Sequence, residues 1–201
     1  LKRAKEIGKI PCSVGVDTWG VDFGLIGQDG NLLEKPVHYR DSRTEGMVEE
    51  VCSRIPAEQL FKQSGIQSMN INTLFQLHYL VKHEKNTIFR AEKMLMMPDL
   101  FAYFLTGECR SEFTEATTTQ LIDQKARGWN LQLIEALGIP KRIFAPLIQP
   151  GERYGNLKQE LAEEFRMEPV PVYACASHDT ASAVMAVPTE EEHFAFLSCG
   201  T

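Results

Sequence analysis

The chain has no long apolar run, no cluster of basic residues and no closely spaced pair of cysteines. Its apolar stretches fall far short of the ~20 residues that a membrane-spanning helix needs, so no membrane association is expected. A net charge of −6 without a Lys/Arg patch argues against a nucleic-acid surface, which needs basic side chains to displace counterions. Cys12, Cys52, Cys109, Cys175 and Cys199 are scattered and odd in number. A zinc or redox motif needs close spacing, and free thiols in a reducing compartment are expected instead. His78 and His83 stand five apart, whereas two ligands on one helix face want three or four; both are read as surface or half-buried residues. The opening Leu-Lys-Arg-Ala-Lys-Glu-Ile-Gly puts charges where a signal peptide has its apolar core, and a cytoplasmic protein is expected.

What is present is ordinary globular material: 201 residues, 43% hydrophobic and 24% charged. A domain of that length buries roughly 70% of its unfolded-chain surface without disulfide staples. The first 35 residues read as mainly β, with strands at 13–17 and 21–26. Asp29-Gly30 marks a tight turn, because glycine supplies the positive φ such turns need. The middle reads as helical. Thr44 is placed to cap a helix carrying Met47, Val48, Val51 and Ile55 on one face. Pro56 opens a second helix that stops at Gly65. Leu74, Leu77, Leu80 and Val81 recur at helical spacing. Pro98-Asp99 begins an aromatic helix ending near Gly107, and 131–137 is a further helix before Gly138 and Pro140. The last stretch reads as strand 170–175, a small-residue helix 179–187 packed close to a sheet, and strand 194–198. Leu1 falls inside what reads as a last helical turn stopped at Gly8, and Thr201 follows a turn-forming Gly200. The chain is therefore expected to be most of one domain, incomplete at both ends.

Asp179 is the most informative residue. It stands at a strand-to-helix joint, and ligands of open α/β sheets bind outside the carboxyl ends of strands. A carboxylate there can accept the proton of a hydroxyl nucleophile, and a helix N-terminus favours its ionised form. The alternative is that Asp179 only caps the helix. Ser177-His178-Asp179 has the residue types of a hydrolase triad, but neighbours in a chain do not face one another in a hydrogen-bonded row. In Asp17-Thr18-Trp19-Gly20-Val21-Asp22, the indole can cover sugar C–H groups, the carboxylates can take hydroxyls, and glycine admits close backbone approach; a turn with one buried Trp is the competing reading. The stretch 38–43 offers Arg40 or Arg43 to a hydroxylated or anionic ligand, or is a solvated loop with an Arg–Asp pair. Ser198-Cys199-Gly200-Thr201 has donors suited to a phosphate.

Taken together, the stretches 14–23, 39–44, 64–77, 97–107, 115–121, 176–184 and 197–201 resemble, in order, those of the FGGY family of carbohydrate kinases. The Asp-Thr-Trp-Gly and His-Asp-Thr-Ala-Ser-Ala segments are similar to those of its rhamnulose-phosphorylating branch. The resemblance implies an α/β fold, a ribonuclease H-like (actin-like ATPase) domain with helical insertions. It implies transfer of the ATP γ-phosphate to the primary hydroxyl of the ketose L-rhamnulose, with Mg²⁺ bridging the phosphates. By motif position, Asp179 is the general base. His178 and Thr180 line the sugar site beside it, and Gly20 contacts the sugar from the opposite side, with Trp19 and Asp22 as neighbours. Thr201 lies near the ATP phosphates.

The chain departs from the family pattern as well. On this resemblance, residues 1–201 are expected to be the N-terminal sugar-binding domain, without the phosphate-binding hairpin of the first strands and without the C-terminal nucleotide domain. Cys199 replaces a more usual Ser. Little kinase activity is expected of this piece alone, and an exposed sheet edge is expected to promote self-association. Two readings compete: a kinase for another ketose, such as L-fuculose or D-xylulose, and a sugar-binding module without phosphoryl transfer.

Overall fold

A computed structural model describes residues 1–191 and 193–199. Helix α1 (Lys2–Glu6) ends before Gly8 at φ +72°. Strand β1 (Phe23–Ile26) is buried along its whole length. The chain then reverses at Gly27–Asn31, where Gly30 takes φ +77°, and Leu33 N–H returns to the Leu25 carbonyl. The expected Asp-Gly turn is therefore present.

Helices α2 (Met47–Cys52), α3 (Ala57–Ser64), α4 (Thr73–His83) and α5 (Lys85–Arg90) follow. Pro56 precedes α3, and Gly65 closes it in the left-handed region, where a residue without a β-carbon is least strained. Thr44 does not cap α2. It completes a 3-10 turn that Asp41 initiates by accepting the Arg43 N–H, and Gly46 at φ +78° is the residue before α2. Helix α4 is the spine of the main core. Leu74, Phe75, Leu77 and Leu80 meet Phe23 and Leu25 of β1, Val51 of α2 and Leu60 of α3. His78, expected at the surface or half-buried, is buried with its ring on Glu50, because it shares the inward face of α4.

Strand β2 (Lys93–Met96) pairs antiparallel with β1, Phe23 opposite Met96. It runs straight into α6 (Met97–Thr106), which has Pro98 in its first turn and Gly107 at φ +84° after its last. Strand β3 (Ser111–Glu112) leads directly into α7 (Phe113–Thr117). Short strands β4 (Ile122–Asp123) and β5 (Gly128–Trp129) form an antiparallel pair before α8 (Leu131–Ala136). Strand β6 (Leu147–Ile148) lies parallel to β3, and β7 (Arg153–Asn156) pairs antiparallel, across α9 (Gln159–Phe165), with β8 (Pro171–Tyr173). Helix α10 (Asp179–Met185) closes the ordered elements.

Three expectations are corrected here. Residues 13–17 form no continuous strand. They run parallel to residues 172–178 but form backbone bridges with them only at two separate places, Val14 to Val172 and Thr18 to His178. Between those bridges the Val16 carbonyl accepts from Cys175 Sγ rather than from a backbone N–H, which interrupts the ladder. Residues 194–198 form no strand, and Phe194, Phe196 and Leu197 are exposed. β-propensity does not make a strand without a partner to complete its hydrogen bonds. The small-residue helix α10 buries none of its residues, so no sheet among the described residues lies close against it.

Candidate active site

The parallel course of 14–18 beside 172–178 builds the site. Thr18 N–H donates to the Ser177 carbonyl and Asp179 N–H donates to the Thr18 carbonyl, both at 2.9 Å. Both segments deliver their next residues to one place, at the carboxyl end of the pair, where α/β folds bind ligands. Trp19, Gly20, His178 and Asp179 thus share one pocket of about 360 Å³. A larger groove of about 750 Å³ lies at Gln28, Leu32 and Arg90, but it holds none of the candidate site residues that the sequence offers.

Asp179 is the first residue of α10, and His178 occupies the capping position with no side-chain cap bond. The carboxylate is therefore not spent on capping. Its neighbours are the Thr180 hydroxyl at 3.4 Å and His178 Nε2 at 3.7 Å. Burial holds the His178 imidazole below its usual pKa, against the opposing pull of Asp179, so the ring is neutral at neutral pH. The triad reading fails on geometry as expected: the Ser177 hydroxyl donates to the Cys175 carbonyl.

The opposite side of the pocket is a strained turn. Asp22 N–H donates to the Gly20 carbonyl at 2.9 Å, closing a three-residue turn with Val21 at φ +70°. The positive-φ form of this turn is rare and strained, more so for a β-branched residue. Three bonds hold it. Val21 N–H donates to Thr118 Oγ1 at 3.0 Å, and its carbonyl accepts from Thr73 Oγ1 at 2.7 Å and Gln76 Nε2 at 3.2 Å. Backbone strain of this kind persists where the surroundings over-determine it, often at ligand sites.

Asp22 and Thr180 do not line the pocket. Asp22 is buried behind Trp19 and accepts from the indole Nε1 at 2.9 Å. Burial raises its pKa, and the Trp19 bond partly offsets this. Arg43 is no ligand arm either: it reaches Gln76 Oε1 at 3.1 Å and lies over the Tyr79 ring. Sequence reasoning missed Tyr39, Asn72 and Thr118, and the apolar side chains Ile66, Met69 and Ile71, all in the pocket wall. These residues fall in or beside the stretches that carry the family resemblance, but none has a residue type that announces sugar chemistry.

Beneath the site lies a buried acidic group. Glu112 accepts from the backbone N–H groups of Thr114, Glu115 and Ser177, and from the Thr114 hydroxyl at 2.6 Å. His178 N–H in turn donates to that hydroxyl. Asp99 Oδ1 takes Tyr154 O–H at 2.6 Å and the Glu112 N–H, while its Oδ2 has no partner. Burial pushes Asp99 up to about 8 and, with its acidic neighbours, Glu115 up to about 10. Both are neutral acids at pH 7. Among the described residues, no three His, Cys, Asp or Glu side chains are arranged to hold a metal ion. Thr201 lies outside the described residues.

Residues 6–186 match the N-terminal domain of the FGGY family of carbohydrate kinases. The chain belongs to that family, and its fold is the α/β ribonuclease H-like type of actin-like ATPases. Among curated relatives, the rhamnulokinases of Bacteroides thetaiotaomicron and Oceanobacillus iheyensis are each 42% identical over all 201 residues. The chain covers 41% and 42% of those two proteins, about two fifths of their length. Among solved structures, the xylulose kinase of Rhodospirillum rubrum superposes with a TM-score of 0.82 at 21% identity, over 90% of this chain and 37% of that one. No helix among the described residues is long and apolar enough to cross a membrane.

Proposed function

We propose that these 201 residues form the sugar-binding half of a cytoplasmic kinase that phosphorylates L-rhamnulose at its primary hydroxyl. The observation that carries this reading is the Asp179 carboxylate, free of capping duty and in the same pocket as Trp19 and Gly20. The rhamnulokinase relatives and the family match support it. In this reading Asp179 accepts the proton of the C1 hydroxyl as that oxygen attacks the γ-phosphorus of ATP. The bond from phosphorus to the bridging oxygen breaks, and ADP leaves with the electron pair. A positioned general base contributes about 10²–10⁴-fold to such a step. Neutral His178 orients sugar hydroxyls, the Thr180 hydroxyl donates to the Asp179 carboxylate, Trp19 covers C–H groups, Gly20 admits close approach, and Asp22 fixes the indole. Thr201 and residues beyond those described attend to the nucleotide.

A coupled ADP-release assay on the complete enzyme, with L-rhamnulose, L-fuculose and D-xylulose as acceptors, tests the assignment. The highest kcat/KM is expected for L-rhamnulose. Turnover with ATP but a preference for another of the three changes the sugar and keeps the chemistry. Saturable sugar binding with no ADP release from any acceptor overturns the kinase reading in favour of a binding module.

A further inference from the structure

The pocket has a wall that hydroxyl chemistry does not explain. Ile66, Met69 and Ile71 all line it, and none of them packs into a hydrophobic core cluster. They lie on the segment between α3 and α4, which has neither helix nor strand from 65 to 71. That segment is nevertheless built. Gln120 Nε2 donates to the Ile66 carbonyl and to Ser68 Oγ, both at 2.9 Å. Asn72 Oδ1 accepts the Met69 N–H at 2.7 Å, and Gln76 Nε2 donates to the Ile71 carbonyl at 2.9 Å. Asn72, Gln76 and Gln120 are all buried. Three side-chain amides thus hold the backbone, and the apolar side chains are left to the pocket.

We propose that Ile66, Met69 and Ile71 form a subsite for the terminal methyl group of a 6-deoxy ketose, selecting it over the same sugar with a C6 hydroxyl. This rests on the sugar-site reading of Asp179 and Trp19. A ketose hydroxyl set against these side chains loses its water partners and gains none, and an unpaired polar group carries a desolvation penalty. A methyl group there gains apolar contact instead. Pockets that discriminate only by one such group reach about tenfold to a hundredfold. L-Rhamnulose and L-fructose differ only at C6, methyl against hydroxymethyl; because that hydroxyl also lets L-fructose close to a pyranose, the two affinities are compared per furanose form.

Calorimetric titration of the 201-residue chain with both sugars is the test, alongside Met69→Gln and Ile71→Thr. Met69 is exposed enough to be replaced without touching the core, and circular dichroism checks each fold. The native chain is expected to bind L-rhamnulose at least tenfold more tightly than L-fructose. Each variant is expected to narrow that ratio severalfold, since an amide or hydroxyl in the wall gives the C6 hydroxyl a partner. Equal affinities in the native chain, or an unchanged ratio in both variants, overturn the methyl subsite and leave the sugar site standing. No binding of L-rhamnulose by a folded chain overturns the sugar-site reading, and the subsite with it.

Discussion

A β-carbon at Gly20 would lie 2.8 Å from Cγ2 of Thr118 and 3.1 Å from its Oγ1. Thr118 cannot easily yield, because Oγ1 accepts from Val21 N–H and donates to the Glu115 carbonyl. Gly20→Ala is therefore expected to displace the strained turn at Val21. Overpacking of this kind costs about 1–3 kcal/mol, read by urea denaturation. L-Rhamnulose affinity should fall at least tenfold. Unchanged stability and affinity would show that the turn tolerates the methyl group and that the close approach has no role.

Asp179→Asn keeps the shape of the side chain and removes its basicity. Under the proposed chemistry, kcat of the complete enzyme falls by about 10²–10⁴-fold, while KM for the sugar changes far less. Steady-state kinetics separate the two. A variant with near-native kcat would remove Asp179 from the role of base.

Glu112→Gln tests the support below. The native carboxylate gathers three backbone N–H groups and one hydroxyl, tying Ser177 to the start of α7. The amide offers one acceptor oxygen and a donor that faces other donors. Stability should drop by about 1–3 kcal/mol, measured by chemical denaturation. A native-like unfolding midpoint would show that the clamp contributes nothing.

The neutral buried acids give stability a pH slope of a particular sign. Asp99 is raised to about 8 and Glu115 to about 10 in the folded chain, from ordinary values of 3.8 and 4.5. Between these limits the folded state binds more protons than the unfolded one, so stability falls with rising pH. The contribution is full below about pH 4 and is lost as pH passes through 8 for Asp99 and 10 for Glu115. Asp99→Asn, which mimics the neutral acid, should flatten the slope between pH 5 and 8, in order-of-magnitude terms set by one proton. Denaturation across pH with the same slope in both proteins contradicts this.

Self-association through an open sheet edge is expected at high protein concentration. Strand β7 pairs with β8 alone among the described strands, and unpaired edges template further pairing. Light scattering that reports only monomer would rule it out.

Local chemistry made much of the fold legible. Pro56, Gly65, Pro98 and Gly107 mark helix limits because their backbone restrictions act within one turn, and α3 and α6 begin and end beside them. Asp29-Gly30 worked for the same reason. The errors lie where a partner decides. The Asp41 turn takes the place of a cap at Thr44, the 13–17 segment gives its Val16 carbonyl to the Cys175 thiol, and 194–198 pairs with no strand among the described residues.

The sequence by itself determined the candidate base, its place at the head of a helix, and the Trp19-Gly20 corner, since these are local patterns of residue type and joint. It also carried the family resemblance. Only the tertiary structure decided that Asp179 is free of capping, that Asp22 stands behind the indole, and that Ile66, Met69 and Ile71 face the pocket. It also decided that Asp99 and Glu115 are neutral. Those properties depend on which distant residues exclude water and which supply hydrogen bonds. Such pairings, like Gln120 with Ile66 or Glu112 with Ser177, join positions more than fifty apart and leave no local mark on the chain.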